Sequence, residues 1–177
     1  MDVLKTIDLC LKGDRKAQKA LYDTYKQKMY TLCMRYMGNN TEANDALQEG
    51  FIKIYRDLHQ YKADKGAFHS WMTRVFVNTN LELIRKKRMK IVEFENNDYL
   101  LDGIRPQAYS NLGQEEIVNM IQKLPDGYRT VFNLYVVEGY SHQEIANMLG
   151  ISLSTSKSQL FKAKRALKLS LENVLVH

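Results

Sequence analysis

The chain has 177 residues, 45% of them hydrophobic, and carries 26 Lys and Arg against 20 Asp and Glu for a formal net charge of +6. That length and apolar content allow one or two small domains with real cores and exclude a wholly disordered chain. A basic balance favours a polyanionic partner, although where the charge sits decides more than its sum. No basic leader precedes a long apolar core, and no segment approaches about 18 uninterrupted apolar residues, so secretion and membrane spanning are not expected and a cytoplasmic location is. The two cysteines, Cys10 and Cys33, sit inside apolar helical patterns and read as buried free thiols in a reducing compartment. Two prolines, 9 glycines and long segments of 3.6-residue period indicate an all-α chain.

Residues 2–12 form a short amphipathic helix with Leu4, Ile7 and Leu11 on one side, ended by Gly13. Asp14 is placed to cap a second helix, in which Ala17, Leu21, Tyr25, Met29, Leu32 and Tyr36 recur at three- and four-residue steps up to Gly38. After the Asn39–Asn40 turn, Thr41 is the expected cap of a third helix. There Ala43, Leu47, Phe51, Ile54 and Leu58 point inward while Asp45, Gln48, Glu49 and Lys53 keep to the other side. Residues 59–66, HQYKADKG, have loop composition, and Phe68 opens a fourth helix expected to end near Lys90. Phe68, Trp71, Met72, Val75 and Phe76 give that helix a heavy apolar face. Arg74, Asn78, Asn80, Arg85, Lys86, Lys87 and Arg88 add amides and cations towards its C-terminal end. Asn is a poor helix former, so two of them two residues apart call for a reason.

From residue 91 to 113 periodicity fades, and Glu93, Glu95, Asp98 and Asp102 follow one another with no cation between Lys90 and Arg105. This acidic stretch is read as a flexible linker, of a composition that suits a disordered tether. Beyond it, Ile117, Met120, Ile121 and Leu124 mark one helix; Tyr128, Val131, Phe132, Tyr135 and Val136 mark the next. Residues 138–168 then carry the most specific local signal. Ser141 and Glu144 have capping-box spacing, Ile145, Ala146, Met148 and Leu149 supply an apolar face, and Gly150 allows a left-handed stop. Ser152 or Ser154 can cap a following helix through Lys168, with Leu153, Leu160, Ala163 and Leu167 as its apolar stripe. Two helices joined so tightly make a helix-turn-helix, whose second helix can enter a DNA major groove. No acidic residue lies between Glu144 and Glu172, while Lys157, Lys162, Lys164, Arg165 and Lys168 all fall in that helix, and Thr155, Ser158, Gln159 and Lys162 are free to face a groove. An ordinary helical hairpin with a solvated basic face is the alternative from periodicity alone.

With both halves laid out, the chain resembles the extracytoplasmic-function sigma factors of the sigma-70 family. DALQEGFIKIYRDL (45–58) resembles the family's polymerase-docking segment, GAFHSWMTRVFVNTN (66–80) its promoter-melting segment, and LPDGYRTVFNLYVVEGYSHQEIANMLGIS (124–152) the start of the domain that reads the upstream promoter element. The sequence departs from the usual pattern at Ser156 and Gln159, where many members have Val and Arg, and at Glu82, where Asp is common.

The resemblance implies two helical domains joined by a flexible linker: a sigma2-like domain over 1–90, the acidic linker over 91–113, either a plain tether or a mimic of nucleic acid in the polymerase's basic channel, and a sigma4-like helix-turn-helix domain over 114–177. It implies core-polymerase contacts at Asp45, Gln48, Glu49 and Phe51, with Phe51 expected as an exposed aromatic. Contacts to the downstream element are implied at Lys62, Phe68, Trp71, Arg74, Asn78, Asn80, Arg85, Lys86, Lys87 and Arg88. Asn78 and the loop from Lys62 to Phe68 would read an unpaired base, whose Watson–Crick edge an amide can address. Upstream contacts are implied at Thr155, Lys157, Ser158, Gln159, Phe161, Lys162 and Arg165. Core RNA polymerase, promoter DNA and an anti-sigma factor are the implied partners, with no small-molecule substrate. No phosphate-binding glycine loop or metal-ligand spacing occurs, and the histidines at 59, 69, 142 and 177 show no partner pattern, so no catalytic residue, metal or cofactor is expected. A helix-turn-helix regulator acting without polymerase is the alternative; it leaves the aromatic and amide helix after residue 68 without a purpose.

Overall fold

The computed structural model describes residues 2–94 and 113–175, and every regular element among them is helical. They fall into two compact units, residues 2–34 with 39–83 in one and, in the other, residues 35–38 with the described residues from 84 on. Among the described residues no helix is long and apolar enough to cross a membrane.

In the first unit, helix α1 (Val3–Leu11) starts on Asp2, whose carboxylate accepts from the amides of Leu4 and Lys5. Helix α2 (Arg15–Tyr36) starts on Asp14, which accepts from Lys16 at 2.7 Å and Ala17 at 3.1 Å. Each aspartate satisfies amides that the first helical turn leaves without partners. The cap of helix α3 (Asn40–Asp57) is Asn39 and not Thr41: Asn39 is extended, and its side chain accepts from Glu42 N–H at 2.9 Å. Helix α4 (Phe68–Phe94) runs four residues beyond the expected stop at Lys90.

Leu21, Met29, Leu32 and Cys33 of α2, Ala43, Ala46, Leu47 and Ile54 of α3, and Met72, Phe76 and Val77 of α4 are all buried. The two buried cysteines are free thiols. Gly50 explains how closely α3 and α4 approach: a Cβ there would lie 2.2 Å from the Phe76 ring. A glycine in mid-helix costs backbone entropy, and this contact offsets it. Tyr55 of α3 donates its hydroxyl to the Gln18 carbonyl at 2.8 Å. Burial chiefly, with nearby acidic groups, pushes that phenol up to about 12.

The second unit contains α5 (Gln114–Gln122), α6 (Asp126–Phe132), α7 (His142–Leu149) and α8 (Leu153–Leu175). Val118, Ile121, Leu124, Val131, Leu134, Ile145, Leu160 and Ala163 are buried there. Arg129 is buried and satisfied by the carbonyls of Gln122 and Leu124 and by the Asp126 carboxylate, tying the α5–α6 turn to α6. Ile117, in the first turn of α5, is half exposed, and Val118 is buried in its stead. After Phe132 the chain makes a π turn, Asn133–Val137, closed by Glu138 N–H donating to Asn133 C=O at 2.9 Å. A π turn takes an extra residue and so rotates the side chains after it around the helix axis. Leu134 stays inside, whereas Tyr135, Val136 and Val137 turn outward, contrary to the apolar face expected for Tyr135 and Val136.

The expected boundary at residue 90 falls inside α4, which also takes in Glu93. Glu95, Asp98 and Asp102 of the acidic stretch lie outside the described residues.

Candidate functional site

In the second unit α7 and α8 form the helix-turn-helix. Ser141 and Glu144 make the capping box: Glu144 accepts from Ser141 N–H at 2.8 Å, and Ser141 Oγ accepts from Glu144 N–H at 3.3 Å. Hydrogen bonds from the Ser141 hydroxyl and amide hold the Glu144 carboxyl below the usual glutamate range. Gly150 adopts φ 65°, the left-handed stop, and Ser152 rather than Ser154 caps α8 by accepting from Thr155 N–H at 3.0 Å.

On α8, Ser156, Leu160 and Ala163 face inward. Leu153, expected in that stripe, is 41% exposed, and Leu167 is half-buried. Ser156 does not face outward as a groove-facing serine would; it is fully buried and shares a 2.9 Å hydrogen bond with His142 Nδ1. His142 in turn stacks on Tyr135, ring centroids 4.4 Å apart. Sequence periodicity offered no sign of this contact, which pins the start of α7 to α8. The outward side presents Lys157, Ser158, Phe161, Lys162 and Arg165, with Phe161 68% exposed. Thr155 and Gln159 are half-buried; a Cβ on Gly127 would come 3.1 Å from the Gln159 amide. Lys162 reaches over the Tyr128 ring and Lys164 over Tyr135, at 5.9 and 6.0 Å, close to the limit for a cation–π contact.

Helix α4, whose residues from 84 on belong to the second unit, and the loop before it separate the downstream candidates into two groups. Lys62, Arg74, Asn78, Arg85, Lys86 and Lys87 are exposed or half-exposed, while the side chain of Arg88 lies outside the described residues. Asn80 is different: it is fully buried, its amide donating to Phe76 C=O at 2.7 Å and to Cys33 Sγ at 3.7 Å. Residues two apart on a helix stand roughly 200° apart around its axis, so Asn78 and Asn80 cannot share a surface. Phe68 is also buried, within an aromatic cluster: Tyr25 at 5.6 Å, Tyr61 at 5.1 Å and Trp71 at 5.6 Å. Trp71 is half-buried and touches Tyr61 as well. The loop is drawn in by the Tyr61 hydroxyl donating to Gly66 C=O at 3.1 Å, and Gly66 takes a φ of 141° that favours glycine.

On α3, Asp45 and Gln48 are exposed and Glu49 is half-buried. Phe51 is 4% exposed, which agrees with its place in the inward stripe of α3 and corrects the exposed aromatic that the resemblance implied. It belongs to the core because Tyr22 and Phe76 enclose it at 4.6 and 5.4 Å. Ile52, beside it, is the exposed apolar residue. Among the described residues no cluster of His, Cys, Asp and Glu could hold a metal ion.

Two family models match in order, Sigma-70 region 2 over residues 21–89 and Sigma-70 region 4 over residues 114–167. The chain is 32% identical to the extracytoplasmic-function RNA polymerase sigma factor SigW of Bacillus subtilis, over 98% of this chain and 99% of that protein. It is 31% identical to the RNA polymerase sigma-H factor of Pseudomonas aeruginosa, over 93% and 91% respectively. Its fold is similar to that of the sigma factor RpoE solved with the anti-sigma factor NepR from Bartonella quintana, with a TM-score of 0.55, 17% identity, and coverage of 87% of this chain and 96% of that one.

Proposed function

The chain belongs to the extracytoplasmic-function sigma factors of the sigma-70 family, and from that premise we propose how its residues divide the work of binding core RNA polymerase and directing it to promoters. It is a regulatory protein and not a catalyst. Residues 1–90 dock on core and recognise and melt the downstream element, residues 91–113 are the connecting linker, and residues 114–177 read the upstream element. The protein works in the cytoplasm, where its polymerase and promoters are, and an anti-sigma factor holds it in check.

The observation that carries the upstream assignment is the outer side of α8. Lys157, Ser158, Phe161, Lys162 and Arg165 are exposed together on the second helix of a helix-turn-helix, with no acidic residue before Glu172. Lysines and Arg165 meet phosphates and position the helix; Ser158 and Phe161 meet base edges. Thr155 and Gln159 contribute from the half-buried flank.

Asn78 is the base-reading amide of the downstream element, standing exposed on α4 one turn beyond Arg74. Unstacking a base costs a few kcal/mol, which stacking on aromatic rings at roughly 1 to 3 kcal/mol per base offsets. Trp71 and Tyr61 offer partly exposed ring surface for this, braced by buried Phe68. Arg85, Lys86, Lys87 and Arg88 hold strand phosphates without reading sequence. Asn80 is a structural support in this scheme, and Phe51 fixes α3 from within.

Docking on core falls to Asp45, Gln48 and Glu49, whose acids and amide suit a basic helical partner such as a coiled coil of the largest polymerase subunit. The test is transcription with purified core enzyme. Promoter-specific transcripts that require both proteins are expected; specific binding to duplex promoter by this chain alone, with no effect on core, would turn the reading to a polymerase-independent regulator.

A further inference from the structure

Asp45, Gln48, Glu49, Ile52 and Arg56 recur on α3 at three- and four-residue steps and so share one face. Ile52 stands near the middle of that face and is 60% exposed, an aliphatic side chain that the described residues leave mostly uncovered. Phe51 cannot stand in for it. The next residue on a helix points about 100° away, and Phe51 is held in the core between Tyr22 and Phe76.

Charge around Ile52 is equally one-sided. Lys53, at the edge of the face, is tied to Glu82 of α4 at 2.7 Å, and Arg56 is chelated by both oxygens of Asp57 at 2.8 and 2.7 Å. The cations at the C-terminal end of the face are thus neutralised, and its net character comes from Asp45 and Glu49. An apolar centre inside a polar, acidic rim is the layout of a docking hot spot. From Asp45 to Arg56 the face is roughly 16 Å long at about 1.5 Å per residue, room for three turns of a partner helix.

We infer that Ile52 is the apolar anchor through which α3 engages core polymerase, its occupant a basic helix that sets an apolar side chain between its Arg or Lys residues. The assignment deepens the docking reading given above and rests on it. A second copy of this chain is the poorer occupant, because pairing the same face twice sets Asp45 and Glu49 against their own counterparts.

The experiment measures equilibrium binding of the full-length chain to purified core RNA polymerase at low and high salt, with thermal melting of each free variant. Ile52→Ser should weaken binding about tenfold or more at both salt concentrations, while Ile52→Leu binds like the parent. Ile52→Gln, a better helix former than Ser, reads the same loss with less disturbance of α3. Glu49→Lys should weaken binding most at low salt, as a screened charge does. Unchanged binding by Ile52→Ser and Ile52→Gln beside a weakened Glu49→Lys overturns the anchor and leaves the docking face standing. Unchanged binding by all of them removes the docking face itself. Self-association of the parent chain in sedimentation, abolished by Ile52→Ser without loss of core binding, would also overturn the anchor and give the face to a second copy.

Discussion

His142 at the first turn of α7 holds the buried hydroxyl of Ser156 on α8 at 2.9 Å, so the two helices of the DNA-reading motif are joined by a polar contact as well as by their apolar faces. A buried hydroxyl that loses its partner costs about 1 to 3 kcal/mol, whereas removing the hydroxyl itself leaves unpaired only the half-buried imidazole, which water can reach. His142→Ala should therefore lower stability by about that amount in urea unfolding, and also remove the Tyr135 stack. Ser156→Ala, which deletes the hydroxyl without adding bulk to a fully buried position, should lower it less, and in the Ser156→Ala background His142→Ala should cost only what the stack contributes. Equal losses in both backgrounds would mean that the hydrogen bond does not carry the coupling.

The capping box gives a pH dependence whose sign is fixed. The Glu144 carboxyl is held below the usual glutamate range by Ser141. A group whose folded-state pKa is depressed contributes stability above its ordinary pKa and loses it as pH falls through the folded value. Glu144→Gln keeps an acceptor for the Ser141 amide but does not titrate. The parent chain should melt higher than Glu144→Gln at about pH 7, and the gap should close as the solution is taken down to about pH 3. A gap that stays constant over that range would assign the stabilisation to the hydrogen bond alone.

Asn78 and Asn80 should part company on mutation. Asn80 is buried with its amide on Phe76 C=O and Cys33, so Asn80→Ala should cost about 1 to 3 kcal/mol of stability and reduce activity evenly across promoters. Exposed Asn78→Ala should leave melting unchanged and lose discrimination at one base of the downstream element. That loss should persist on a template already mismatched open, where melting is no longer required. Uniform loss with a lowered melting temperature for Asn78→Ala would make it a structural amide like its neighbour.

Legibility in the sequence tracks the range of the interactions. Helix starts at Asp14 and Ser141 and the stop at Gly150 rest on atoms within a few residues, and the sequence displays them. Asn39 and Thr41 are both good caps only two residues apart, so sequence alone could not choose between them. Periodicity puts Phe51 on the inward stripe with Ala43, Leu47 and Ile54, and there it lies, enclosed by Tyr22 and Phe76; the exposed aromatic is an expectation of the resemblance alone, which does not see that enclosure. Asn78 and Asn80 look alike in sequence, yet helical geometry puts them on opposite sides, a distinction that the 3.6-residue period already contains. The π turn at Asn133–Val137 and the His142–Ser156 contact carry no local signature. One depends on a backbone register that the hydrophobic pattern does not encode, the other on a tertiary approach.

Upstream recognition separates residues that read sequence from residues that hold the duplex. Phe161 stands 68% exposed between Ser158 and Arg165 on the outer side of α8. A phenyl ring offers no hydrogen bond, and in the major groove the base feature that rewards it is the thymine methyl group. Phe161→Ala should weaken holoenzyme binding to the preferred promoter by about tenfold, the order of one mismatched base pair. Replacing the contacted thymine by deoxyuridine, which lacks the methyl, should reproduce that loss in the parent and add nothing in the variant. Ser158→Ala and Gln159→Ala should shift base preference, the latter more weakly because Gln159 is half-buried beside Gly127. Arg165→Ala should weaken binding about equally on all sequences and reduce the slope of log affinity against log salt by about 1. A change of sequence preference in Arg165→Ala, with none in Phe161→Ala or Ser158→Ala, would mean that α8 enters the groove on a different face.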